Sequence, residues 1–150
     1  MARTRLVVLP VCALVLALAA CGGGGPTRLT KEQYAAKVSH LCLLSEDQFR
    51  ELHLENTVGD WQRYANKIVR IRVHFNKALA ALKPPPSIKA DVADFVAANK
   101  NALEDDKFVI GAARDGDSLE FLHALRSEHG DHRFAYHAAR AFGAKGCYIP

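Results

Sequence analysis

No stretch of the sequence alternates apolar and polar residues over the length of a strand, and no segment repeats at a fixed period, so sheet and solenoid architectures have nothing to build on. The short motifs that announce most catalysis are missing too. There is no glycine-rich phosphate loop after a strand, no nucleophile elbow and no His-Glu-x-x-His element, and the four cysteines include no Cys-x-x-Cys pair. Acid pairs such as Glu46-Asp47 occur, but any helical surface supplies them. Excess charge is small as well: the formal net charge of +4 falls to +2 once Arg3 and Arg5 are set aside, too little for a nucleic-acid footprint. These absences point away from an enzyme and from a nucleic-acid partner.

What is present begins with a leader. The chain has 150 residues, 49% hydrophobic and 24% charged, the composition of one ordinary globular domain. "MARTR" followed by "LVVLPVCALVLALAA" has the basic and apolar regions of an export signal, and the apolar run is short of the roughly 20 residues that span a bilayer. Ala17-Leu18-Ala19 fits ordinary signal cleavage, whereas Leu18-Ala19-Ala20-Cys21 resembles the bacterial lipobox at all four positions. On the second reading residues 1–20 are a lipoprotein signal peptide, removed after Sec-type or Tat-type export. Cys21 becomes the acylated first residue, carrying diacylglyceryl and palmitate-type chains. Each buried lipid CH₂ contributes about 0.8 kcal/mol, so two or three chains on one residue hold a protein at the outer face of the cell membrane. Residues 21–29, with "GGGGPT", then read as a tether, and residues 30–150 as the folded domain.

Cysteine arithmetic follows. With Cys12 in the discarded signal and Cys21 taken by lipid, Cys42 and Cys147 are the thiols left to an exported domain, and two in an oxidising compartment point to a structural disulfide. Closing a loop of about 100 residues contributes about 4 to 5 kcal/mol on the chain-entropy picture.

From Thr30 onward the pattern predicts helix. "TKEQ" is a capping box, and behind it Ala35, Val38, Cys42, Ser45, Phe49 and Leu52 recur at steps of three and four. "ENTVGD" breaks the first helix. A second carries Trp61, Tyr64, Ile68, Ile71, Phe75, Ala78 and Leu82, and stops at the prolines 84–86. Ser87 is placed to cap a third helix bearing Ile88, Val92, Phe95, Val96, Leu103, Val109 and Ile110. Asp115-Gly116 makes a turn, and Asp117 with Glu120 is a second capping box. The fourth helix holds Leu119, Leu122, Leu125, Tyr136, Ala139 and Phe142, with an interruption expected at Gly130 and a C-cap at Gly143. Four such helices with short turns predict an all-α, antiparallel up-down four-helix bundle, with the first and last helices side by side as the Cys42–Cys147 bond requires.

"LTKEQYAAKVSHLC", "LAALKPPPSIKAD" and the closing "AFGAKGC", behind a lipobox and a glycine-rich leader, resemble small exported lipoproteins of high-GC Gram-positive bacteria. The matching positions are Thr30, Lys31, Tyr34 and Cys42; Leu79, Leu82, Pro84 and Pro85; and Gly143 and Cys147. The resemblance implies a helical, disulfide-linked envelope domain and brings no catalytic residue with it.

This chain departs from that pattern in "HALRSEHGDHRFAYH". His129, His132 and His137, with Glu128 and Asp131 nearby, are ligand types that zinc or copper accept, though His137 falls on a different side of the helix. Glu120 and His123 form one Glu-x-x-His element, where a di-iron bundle needs two. Arg126, Arg133 and Arg140 recur every seven residues and form a basic strip suited to anionic headgroups, a wall polymer or an acidic envelope protein, unless Glu104, Asp105 and Asp106 on the neighbouring helix balance it as a plain solvated face. The reading favoured is a lipid-anchored extracytoplasmic domain with a non-catalytic binding or supporting role and no cofactor. A zinc, copper or small-ligand carrier using the fourth helix is the alternative, and an enzyme of unrecognised type a weaker one.

Overall fold

A computed structural model describes residues 29–147, apart from the side chain of Asp131; the leader, Cys12, Cys21 and the glycine run lie outside the described residues. The described chain is helical throughout, with no strand among the described residues. It comprises α1 (Lys31–Arg50), α2 (Val58–Ala81), α3 (Lys89–Asp115) and α4 (Ser118–Phe142), with short 3-10 turns at Pro86–Ile88 and Lys145–Cys147.

The helix boundaries follow local chemistry. At α1 the Gln33 amide donates to Thr30 Oγ1 at 3.2 Å and the Thr30 amide donates back to Gln33 Oε1 at 3.0 Å, so two otherwise orphaned N–H groups are satisfied. The connection to α2 is held by Asp60, whose Oδ2 accepts from the Glu55 amide at 3.2 Å and from Thr57 Oγ1 at 2.9 Å. Gly116 (φ 72°) and Gly143 (φ 88°) end α3 and α4 in the left-handed conformation, which glycine adopts without steric cost. Asp117 caps α4 by accepting from the Leu119 and Glu120 amides.

Three expectations need correction. Ser87 does not cap a helix: Pro86–Ile88 forms a 3-10 turn and α3 starts at Lys89. The fourth helix is unbroken through Gly130, where one glycine costs only about 1 kcal/mol against the gain from a continuous buried face. Leu119 and Leu122 are 75% and 50% exposed, because α4 turns Phe121, Ala124 and Leu125 inward instead.

Packing is uneven. α3 is the central helix, lying along both α2 and α4, whereas α1 packs on α2 and on the closing 3-10 turn. Apolar side chains gather into two separate cores. One joins Tyr34, Val38, Phe75, Leu79, Ile88, Phe95, Phe142 and Ala144 at the end where α1 and α3 begin. The other joins Leu52, Trp61, Ile68, Val109, Ala113 and Phe121 at the opposite end. In the first, the Phe142 ring stands edge-on to Tyr34 at 5.9 Å and to Phe95 at 5.6 Å, the geometry aromatic quadrupoles favour. The Cys42 and Cys147 sulfurs are at disulfide distance, 2.08 Å, tying α1 to the turn beyond α4. The expectation that the first and last helices lie side by side is met only at this end. Further along, α1 and α4 do not pack against each other, and a groove opens between them.

Candidate functional site

Between the two cores the buried faces carry charge instead of hydrocarbon. Along α2 the inward positions run Ile68, Arg72, Phe75; along α3 they run Ala102, Asp106, Val109; along α4 they run Leu125 and Glu128, with the exposed His132 one turn further on. Helical spacing therefore aims Arg72, Asp106 and Glu128 at one another from three helices. Arg72 Nε donates to Asp106 Oδ2 at 2.8 Å and its Nη2 donates to Glu128 Oε1 at 3.2 Å, with the three side chains 12%, 1% and 10% exposed. From α1, the Phe49 ring lies over the Arg72 guanidinium at 4.6 Å, a cation–π contact that covers the charge.

His132 closes this layer. Its Nε2 lies 2.7 Å from Glu128 Oε1 and is also in direct contact with Arg72 Nη2. One ring nitrogen thus faces both a carboxylate acceptor and a guanidinium donor. A proton on Nε2 serves the first and a bare lone pair serves the second, so the imidazole's proton decides which neighbour it favours.

The two carboxylates differ. Burial pushes the Asp106 carboxyl up to about 6, against the opposing pull of Arg72. Burial also pushes Glu128 upward, but the hydrogen bond and charge of His132, with the Arg72 guanidinium, outweigh it and hold Glu128 below the usual range. Asp106 Oδ1 is buried and has no hydrogen-bond partner among the described residues, and neither has the indole N–H of Trp61. Both residues line the groove.

That groove encloses about 640 Å³. Its walls are Ser45, Glu46 and Phe49 of α1 facing His129, Arg133 and Tyr136 of α4; Arg72, Asp106 and Glu128 lie at its floor, and the Cys42–Cys147 pair borders its closed end. The dimensions suit a small molecule or an inserted side chain, and the polar groups needed to orient one converge at the floor.

The residues singled out from sequence are distributed as follows. His132 belongs to the charged layer. His129 is exposed and its Nδ1 donates to the Leu125 carbonyl at 2.6 Å, while His137 stands edge-on to the Tyr136 ring at 5.2 Å. Among the described residues no group of three or more His, Cys, Asp or Glu is placed to hold a metal ion, so His129, His132 and His137 are not brought together as a ligand set. Glu120 and His123 are both exposed on α4. Arg126, Arg133 and Arg140 are exposed too, and Arg133 reaches the groove rim. Asp106 is not a surface acid balancing that strip but the most deeply buried charge among the described residues, because it follows Ala102 by four residues and precedes Val109 by three on the inward stripe of α3. Arg72 has no apolar side chain to mark it as inward, and Glu128, expected only as a donor near the histidines, is turned to the interior in the same way. Their signal was spacing, since each takes a position that the surrounding core residues assign to the interior. Cys21 lies outside the described residues. Compared with protein-family models, with curated proteins and with solved structures, the chain matches none.

Proposed function

We propose that this chain is a lipid-anchored, extracytoplasmic up-down helical bundle that binds a ligand or partner group, without catalysis, in the groove between α1 and α4. The observation that carries the reading is the buried Arg72–Asp106–Glu128 layer at the groove floor. Burying a charge triad is a poor way to stabilise a fold: apolar residues of similar volume commonly do as well or better, by about 1–4 kcal/mol. A triad that borders an open groove, and that leaves Asp106 Oδ1 unpartnered, has the character of a recognition site. The anchor rests on Leu18-Ala19-Ala20-Cys21, and an outer-face location agrees with the cysteine usage.

Two measurements test this. The intact mass of the mature protein isolated from membranes is expected to report cleavage before Cys21, acylation, and the two-proton loss of a disulfide; a Cys21→Ala chain that stays membrane-bound after signal removal overturns the anchor. For the groove, a photocrosslinker at Ser45 is expected to capture a defined envelope protein or anionic polymer in intact cells, and one at Arg114, away from the groove, is not. Equal capture from both positions overturns the groove reading.

A further inference from the structure

The two ends of the molecule carry opposite charge. In the half built on the Tyr34–Phe142 core (residues 29–42, 74–98 and 133–147) there are eight Lys and Arg against three Asp and Glu, a formal +5. In the half built on the Trp61–Phe121 core (residues 43–71 and 103–127) there are seven against eleven, a formal −4. A domain with a net charge near zero is thus strongly polarised along its length.

Pairing differs in the same way. All eight cations of the first half are exposed, and none forms an ion pair with a described residue. In the second half Arg50, Arg63 and Lys107 pair with Asp47, Asp60 and Glu104 on their own helices. Helix dipoles do not account for the polarity: the basic end holds the starts of α1 and α3 and the ends of α2 and α4, so their end charges largely cancel. Five of the cations sit at the tip itself. Lys31 opens α1, Lys83 and Lys89 flank the prolines between α2 and α3, Arg140 lies in the last turn of α4, and Lys145 lies in the closing turn beside Lys31. The chain also enters the domain here, since Leu29 packs on the core of this half.

We propose that this end is a docking surface for an anionic lipid bilayer, with Lys31, Lys83, Lys89, Arg140 and Lys145 meeting headgroup phosphates, so that the domain stands on the membrane with its acidic end outward. The orientation rests on the lipid-anchor reading, although the charge complementarity does not. Eight residues separate Cys21 from Thr30, a contour of at most about 30 Å, so an anchor at Cys21 keeps this end within that distance of the surface. Juxtamembrane cations are drawn to an anionic leaflet within about a Debye length, about 8 Å at physiological salt. Standing upright, the domain keeps the groove's open side clear of the bilayer.

The test uses the mature chain isolated from membranes, mixed with vesicles of phosphatidylcholine alone or of phosphatidylcholine with phosphatidylglycerol. Pelleting with the neutral vesicles reads the anchor by itself. Hydrogen exchange then reads the orientation: amides of Leu82, Lys83, Ser87, Ile88, Lys89 and residues 143–147 are expected to exchange at least about threefold more slowly on the anionic vesicles than on the neutral ones. The difference should vanish near 1 M salt, where the Debye length is about 3 Å. A K31E/K83E/K89E/K145E chain should lose the difference while a K67E/R114E chain keeps it. Equal exchange on both vesicles overturns the proposal, as does protection of residues 51–57 instead. Protection by a soluble poly(glycerol phosphate) but not by phosphatidylglycerol vesicles replaces the membrane with a wall polymer and likewise overturns it. If the chain fails to pellet with neutral vesicles the anchor reading falls, and salt-sensitive pelleting with anionic vesicles alone still decides the docking surface.

Discussion

Against α3, α4 lies close along its length; against α1, the same helix stands apart with a groove between them. The side chains account for the contrast. Both α3 and α4 bury small residues, Ala102, Ala112 and Ala113 on α3 and Ala124 and Ala139 on α4, and small buried side chains let helix axes approach. On the open side α1 offers Cys42, Ser45, Glu46 and Phe49, all only half-buried. There α1 meets α4 at the edge-on Tyr34–Phe142 contact and is bonded to the turn beyond α4 through Cys42–Cys147, while Phe49 ties α1 to Arg72 of α2. One interface is made by hydrophobic area, the other by a few discrete ties. A binding site is more easily kept open on the second.

Cutting those ties has the largest expected effect. A C42S/C147S chain should lose up to about 4 to 5 kcal/mol in denaturant unfolding, the entropy of a closed loop with sequence separation 105, with hydrogen exchange rising first in α1. A loss spread evenly over α1 and α3 would erase the contrast. Next comes Arg72→Met, which strands two buried carboxylates and should cost about 3–5 kcal/mol. The triple replacement R72M/D106L/E128L should recover most of that cost while abolishing capture at the groove; a triple variant as unstable as the single one would make the layer a structural requirement instead.

Size changes separate the two sides directly. Ala124→Leu, on the packed face, should cost about 1–3 kcal/mol by overpacking, whereas Ser45→Leu, facing the groove, should lie within about 0.5 kcal/mol of the parent by thermal unfolding.

A change of pH has a smaller effect than the overpacked Ala124→Leu. Asp106, facing Arg72 of α2 and Glu128 and His132 of α4, has its folded pKa raised to about 6 from 3.8, so its contribution to stability is fully present below about 3.8 and is lost as pH rises through 6. Glu128 is shifted the other way: its contribution is present above 4.5 and is lost as pH falls through its lowered value. Between pH 5 and 7 only the Asp106 term changes of these two, so the parent should lose about 1 kcal/mol relative to Asp106→Asn over that range in urea titrations. A parent and variant that run parallel would place the Asp106 proton elsewhere.

Much of the architecture was legible because it rests on local chemistry. Thr30 with Gln33, the prolines after Leu82, Gly116 and Gly143 each fix a helix end within a few residues, and together with the break at 51–57 they mark out four helices. The Cys42 and Cys147 pairing was legible because the leader pattern assigned Cys12 and Cys21 expected roles outside the folded domain. What escaped was the rotation of α4 and the content of the charged layer. Leu119 and Leu122 look like core residues when the stripe is drawn through the largest aliphatic side chains. The stripe runs instead through Phe121, Leu125, Glu128, His132, Ala135, Ala139 and Phe142, in unbroken steps of four and three, with the exposed His132 at the point where it reaches the groove. A hydrophobicity reading rejects Glu128 and His132 from such a series, although the energetics admit them once Arg72 arrives from α2. The partner sits 56 residues away in sequence, and no local pattern reports it.

The Cys42–Cys147 bond also has a mechanical meaning. A pull on the chain from residue 29 can unwind only the first three turns of α1 before it meets a covalent stop at Cys42, and a pull from beyond Cys147 meets the same stop at once. Residues 43–146, with the groove, its charged floor and all of α2, α3 and α4, lie within a closed ring that tension at either terminus cannot draw out. Tension applied between the two termini therefore crosses the ring through two sulfur atoms and bypasses the groove and its charged floor.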